Sequence, residues 1–153
     1  MQTLEPIVSH LPLFAGMKDE HLVLIAGCAR NVRFEAGEAI GRIGEPADSF
    51  WAIREGRVAL QIHSPERGAL TVQTVGENDV LGWSWLVPPH QWHFDARALT
   101  ATRAIVFDGR CLRGKFEHDY ELGYELLRRF SQLIVERLEA TGLQLLDVYG
   151  DRD

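Results

Sequence analysis

The sequence predicts a mainly β fold, a sandwich or barrel of short strands, with flanking helices and a long C-terminal helix. Three observations carry that reading. Short stretches between residues 31 and 107 alternate apolar and polar residues, the period of a strand with one buried face. Glycines separate them at Gly37, Gly44, Gly56, Gly68, Gly76 and Gly82, as tight turns require. After Gly109 the apolar spacing changes to that of a helix. At 153 residues, 46% hydrophobic and 25% charged, the chain has the size and composition of one globular domain, and no Pro- or Ser-rich linker divides it. Residues 1–153 are therefore read as a single domain, with an N-terminal helical segment (1–30), a β region (31–108) and C-terminal helices (109–150).

In chain order, Leu11, Leu13 and Phe14 form an apolar entry to a first helix. Asp19 and Glu20 suit its N-terminal turn, and Leu22, Ile25 and Ala26 share one face. Strands are predicted over Asn31–Phe34, Ser49–Ile53, Arg57–His63, Ala69–Val75 and Phe94–Phe107. The clearest is Arg57–His63, with Val58, Leu60 and Ile62 on one face. Cys111–Lys115 is a short helix candidate. Leu122, Leu126, Leu127, Phe130, Leu133, Ile134 and Leu138 then mark one stripe of a helix from about Glu121 to Gln144, which Gly142 weakens or ends. The stripe is longer than a small barrel covers. Its distal part, with Leu126, Leu127, Phe130, Leu133, Ile134 and Leu138 as the dimer residues, is expected to pair with a second copy as a short coiled coil. Packing on the chain's own barrel is the alternative.

Bulk properties exclude several classes. No apolar run approaches the roughly 20 residues that span a membrane, and the N-terminus lacks the basic and apolar regions of a secretory signal. The expected location is cytoplasmic. A net charge of −6 opposes the phosphate neutralisation that nucleic-acid binding needs, so no direct DNA binding is expected. Cys28 and Cys111 match no metal or redox spacing and read as two packed thiols in a reducing compartment.

The segment Phe34–Val58 resembles the first half of the cyclic nucleotide-binding domain of catabolite-activator-type and Fnr-type regulators. Phe34, Gly37, Ile40, Gly44, Phe50, Ile53, Gly56 and Val58 fill its pattern of apolar residues and turn glycines. The Leu11–Phe14 entry and the C-terminal helix extend the resemblance over most of the chain. It implies an eight-stranded jelly-roll β-barrel and a ligand held by a phosphate-binding cassette. In that cassette a short helical turn and an Arg face the phosphate, and a Glu accepts from the ribose.

The matching stretch here departs from the pattern. Gly82 and Leu86 fit, but Trp83 stands at the Glu, Ser84 at the usual Leu or Ile, and Trp85 at the small Ala. Trp92 and His93 fall at the Arg and its small neighbour, and Arg97 lies several residues late. An indole N–H donates only, so Trp83 cannot replace the Glu. Losing both contacts weakens binding roughly a hundredfold or more, which implies cyclic AMP bound weakly or not at all. The indoles of Trp83, Trp85 and Trp92 either fill the old pocket or line an aromatic pocket for a planar or apolar effector whose acid meets Arg97 or His93. Nucleotide binding altered by Arg97 is a third reading. The expected ligand-pocket set is Gly82, Trp83, Ser84, Trp85, Leu86, Trp92, His93 and Arg97.

No cofactor, catalytic residue or metal ligand is expected. The histidines lack the His-x-His pair of a cupin metalloenzyme, His90 and His93 give only His-x-x-His, and Ser84 lacks the second glycine of a nucleophile elbow. Leu145–Gly150 resembles the hinge that leads into a DNA-binding domain in catabolite-type regulators, and the chain is expected to lack that domain. In such relatives the long helix also approaches the ligand's base with small hydroxyl residues; counting back from the hinge, Glu136 and Arg137 stand there instead, a further departure from the cyclic AMP pattern. The resulting expectation is a non-enzymatic, homodimeric ligand-sensing domain with an unidentified small-molecule effector. A dimeric scaffold that binds a protein partner without ligand, and a cupin-like metalloenzyme, are the alternatives.

Overall fold

The computed structural model describes residues 4–150, and the side chains as far as residue 142. Two short helices, α1 (Glu5–Ser9) and α2 (Asp19–Ala26), precede eight strands. These are β1 (Ala29–Phe34), β2 (Ala39–Gly41), β3 (Ser49–Glu55), β4 (Val58–Ser64), β5 (Gly68–Val75), β6 (Val80–Leu81), β7 (Asp95–Ala98) and β8 (Thr102–Asp108). α3 (Gly109–Phe116) and α4 (Tyr120–Gly150) close the chain. The strands form two four-stranded antiparallel sheets, in the orders β1-β8-β3-β6 and β2-β7-β4-β5. This is the jelly-roll architecture expected from the glycine pattern.

Strand alternation builds two cores from the same strands. On β3 and β8, Ile53, Trp51, Ala104 and Val106 face the second sheet, where they meet Val58, Leu60 and Val75, with Leu81 of β6 in the same cluster. Their neighbours Phe50, Ala52, Ile105 and Phe107 face outward and are covered by the helices. That helical layer is aromatic: Phe50 stacks on Phe107 at 4.5 Å, and Phe14 approaches Phe107 at 5.4 Å.

The long stripe of α4 divides. Leu122, Leu126 and Phe130 are fully buried in the helical layer, and Leu133 packs against its edge. Leu126 and Phe130 are thus corrected: both are buried in the helical layer of their own domain, where Phe130 meets Phe50 and Trp85, and are not available to a second copy. Leu127 and Leu138 remain 51% and 69% exposed. The N-terminal segment is tied to this helix, because Arg129 donates to the carbonyls of Leu13 and Ala15, both at 2.8 Å, and Lys18 pairs with Glu121. The helix passes through Gly142 and continues to Gly150. The side chains of the hinge-like Leu145–Gly150 lie outside the described residues.

Two further differences from the sequence reading have local causes. The expected strand Phe94–Phe107 is two strands, β7 and β8, separated at residues 99–101. Cys28 and Cys111 form a disulfide with their Cα atoms 5.8 Å apart. The β1–β8 register, which opposes Ala29 to Phe107, delivers Cys28 to the first turn of α3. Asp108 caps that turn by accepting from the N–H groups of Arg110 and Cys111 at 2.9 and 3.1 Å. This corrects the expectation of two unpaired thiols, and removes the support they gave to a reducing compartment.

Candidate functional site

The site begins where β6 leaves the first sheet. Gly82 turns the chain with φ +94°, a conformation costly for other residues, and any Cβ there would lie 3.3 Å from the Ser49 carbonyl oxygen. A single 3-10 turn, Ser84–Leu86, follows. Neighbouring side chains of this turn diverge. Trp83 and Ser84 face a cavity at the end of the second sheet. Trp85 goes the other way, fully buried among Phe50, Phe116 and Phe130. Trp85 and Leu86 therefore belong to the helical core, a correction to their assignment as pocket residues.

The cavity is lined by Leu60, Leu81, Gly82, Trp83, Ser84, Trp92, His93, Phe94 and Arg137, and its free volume is about 20 Å³. That admits about one water, against several hundred Å³ for sites that enclose organic ligands. Side chains fill the rest. The Trp83 ring stacks on His93 at 4.9 Å and 20°. Ser84 Oγ and His93 Nδ1 share a hydrogen bond of 3.0 Å. Trp92 lies beside Trp51 at 5.6 Å and directly over Gly41, where a Cβ would come within 2.4 Å of the indole.

Arg97 is absent from this cavity, which corrects its expected place. On β7 its neighbours Ala96 and Ala98 are buried, so alternation sends Arg97 to the outer surface, where it donates to the Gly37 carbonyl at 2.7 Å. A cation outside the expected pocket set, Arg137, enters from α4 instead, at the helix position noted as departing from the family pattern. The signal was present. Leu126, Phe130, Leu133 and Arg137 follow one another at steps of four, three and four, so the core-facing stripe ends on a guanidinium.

A larger cavity, about 480 Å³, lies between the N-terminal segment, the turn at Asn78–Val80 and α4. Its charges are largely matched internally. Glu125 binds Arg128 and Arg129, and those guanidiniums hold its carboxyl below the usual value. Among the described residues no three His, Cys, Asp or Glu side chains gather as a metal site. Among the described residues no helix is long and apolar enough to cross a membrane.

Residues 31–119, more than half of the chain, match the cyclic nucleotide-binding domain family. The chain belongs to that family. A CRP-like cAMP-activated global transcriptional regulator of Mycobacterium tuberculosis (strain H37Rv) is 23% identical over 145 residues, 95% of this chain and 63% of the regulator. A Rhodopseudomonas palustris chain named as a potassium channel protein is 24% identical over 148 residues, 96% of this chain and 34% of the channel chain. The chain thus spans less than two thirds of either relative. Among solved structures, a Geobacter metallireducens protein described as cyclic nucleotide-binding superposes with a TM-score of 0.79 at 28% identity, covering 90% of this chain and 99% of that one. The Thermus thermophilus catabolite activator protein shares the fold, with a TM-score of 0.70 at 18% identity.

Proposed function

We propose that this chain is a non-enzymatic, homodimeric sensor domain of the cyclic nucleotide-binding family, with a pocket that binds cyclic AMP weakly or not at all and takes a different small effector. The observation that carries this is the cavity itself. Its side chains close it to about 20 Å³, so any ligand enters only as a wall yields, and the Trp83–His93 stack stands where the ribose and phosphate contacts of a nucleotide would form. The flat indole and imidazole surfaces suit a planar ligand.

A titration followed by tryptophan emission tests the sensor reading. Planar organic acids are expected to give a saturable change through Trp83, larger than any change with cyclic nucleotides. A flat response to every acid and nucleotide would reject the sensor in favour of the ligand-free scaffold.

Dimerisation is supported by the exposed face of α4. Tyr120, Tyr124, Leu127, Ser131, Ile134 and Leu138 follow one another at alternating steps of four and three, the spacing of a coiled-coil seam. Tyr120 and Tyr124 are 82% and 63% exposed, like Leu127 and Leu138 on the same face. Light scattering is expected to show a dimer for the native chain and a monomer for the Leu127→Glu, Leu138→Glu double variant. That variant should keep its helical circular dichroism, because neither side chain is part of the core. A native chain that is monomeric at working concentration would contradict the dimer.

A further inference from the structure

Arg137 is the least explained charge in the molecule. Its side chain lines the pocket and is half-buried, yet among the described residues no carbonyl or carboxylate accepts a hydrogen bond from the guanidinium. Arg113 and Arg129, comparably covered, show what such burial ordinarily demands. Arg113 donates to the Trp85 carbonyl and to Asp48, and Arg129 to two carbonyls and to Glu125. Burial pulls the Arg137 guanidinium below its ordinary value, offset in part by the charge of Asp79. Asp79 itself is engaged, since its Oδ2 accepts from the Gly76 N–H at 2.8 Å. A guanidinium has five donors and no acceptor. Those of Arg137 are partly withdrawn from water but not sealed from it, and with no protein acceptor matched to them they are free to meet an anion in the pocket.

We infer that Arg137 is the anion-recognising residue of this pocket, and that the effector is a small molecule carrying an oxyanion, carboxylate or phosphate, next to a flat ring. The inference rests on the sensor reading above and deepens it. The cation expected in the cassette is missing at Trp92 and His93, and α4 supplies one from the opposite wall. The planar fork of an arginine matches a carboxylate or a phosphate equally. The Trp83–His93 stack beside it offers the flat surface. Since the cavity holds about one water, the ligand enters only as the α4 wall yields. On α4 the exposed Leu138 is the next residue, so occupancy would shift the helix that carries the dimer seam.

Thermal unfolding of the full chain tests this with sodium benzoate, phenyl phosphate and neutral benzamide on the native protein and on Arg137→Met and Arg137→Lys. Without ligand, Arg137→Met is expected to leave Tm unchanged or raise it, because it replaces a partly desolvated cation with an apolar chain of similar length. It should also weaken the acid that stabilises the native protein at least tenfold, with Arg137→Lys intermediate and benzamide inert. Benzoate and phenyl phosphate distinguish a carboxylate from a phosphate effector. An acid response unchanged in Arg137→Met, or a benzamide response equal to that of benzoate, would overturn the role of Arg137 and leave the sensor standing. A fall in the ligand-free Tm of Arg137→Met would show a structural role and overturn it as well. No response from the native protein to either acid would overturn both the inference and the sensor reading.

Discussion

Replacing Trp85 by Ala is expected to lower stability by about 3–5 kcal/mol, the range for deleting a large buried aromatic. For a domain of this size that corresponds to a fall in Tm on the order of 10 °C. Trp85 is fully buried, stacked on Phe50 at 5.0 Å and set edge-on to Phe130 at 5.4 Å. It is where the 3-10 turn, β3 and α4 meet, so the void would open at the centre of the helical layer. Its Nε1 is buried without a hydrogen-bond partner among the described residues, so Trp85→Phe should cost much less than Trp85→Ala by removing an unsatisfied donor. Trp83→Ala, at a half-buried position, is the matched control. Calorimetric unfolding of the three variants checks the order, and a Trp83→Ala loss larger than that of Trp85→Ala would contradict the placement of the two indoles.

Opening the disulfide is the second large effect. Cys28 and Cys111 are 83 residues apart in sequence. Cross-links over loops of that length stabilise by typically 2–4 kcal/mol, chiefly by restricting the unfolded chain. Reductant is therefore expected to lower Tm by on the order of 10 °C. The Cys28→Ser, Cys111→Ser double variant should begin at that lower Tm and be insensitive to reductant. The same treatment should loosen α3, whose remaining ties include the Asp108 cap, Arg113 on the Trp85 carbonyl and Asp48, the buried Leu112, and a hydrogen bond from Lys115 to the Leu24 carbonyl at 2.8 Å. Thiol titration of the protein denatured without reductant gives the direct reading. About zero free thiols is the expected result, and two per chain would contradict the bond.

Much of the fold was legible because its signals are local. The turn glycines and the alternation of Val58, Leu60 and Ile62 mark the sheets, and the spacing of Leu122, Leu126 and Phe130 marks α4. β2 and β6 escaped because three and two residues are too few for a period to register. The disulfide escaped because no spacing along the chain reveals a contact made by the β1–β8 register.

The site was read less well, for related reasons. A 3-10 turn has no strand-like alternation, so nothing in Trp83-Ser84-Trp85 told which indole would face the cavity. Arg97 could have been placed from its strand alone, since Ala96 and Ala98 suit a crowded interior and leave the arginine outside. Arg137 drew notice as a departure from the family pattern, yet its charge was not connected with the cation missing from the cassette. That connection needs α4 docked on the sheet.

The central claim is that the chain keeps the family's fold and pocket position without the contacts that hold a cyclic nucleotide. Calorimetric titration of the purified chain with cyclic AMP tests it most directly. No saturable heat in the micromolar range is expected, because Trp83 and His93 stack on one another in the cavity and Arg97 lies outside it. Saturable one-to-one binding with a micromolar Kd would contradict it.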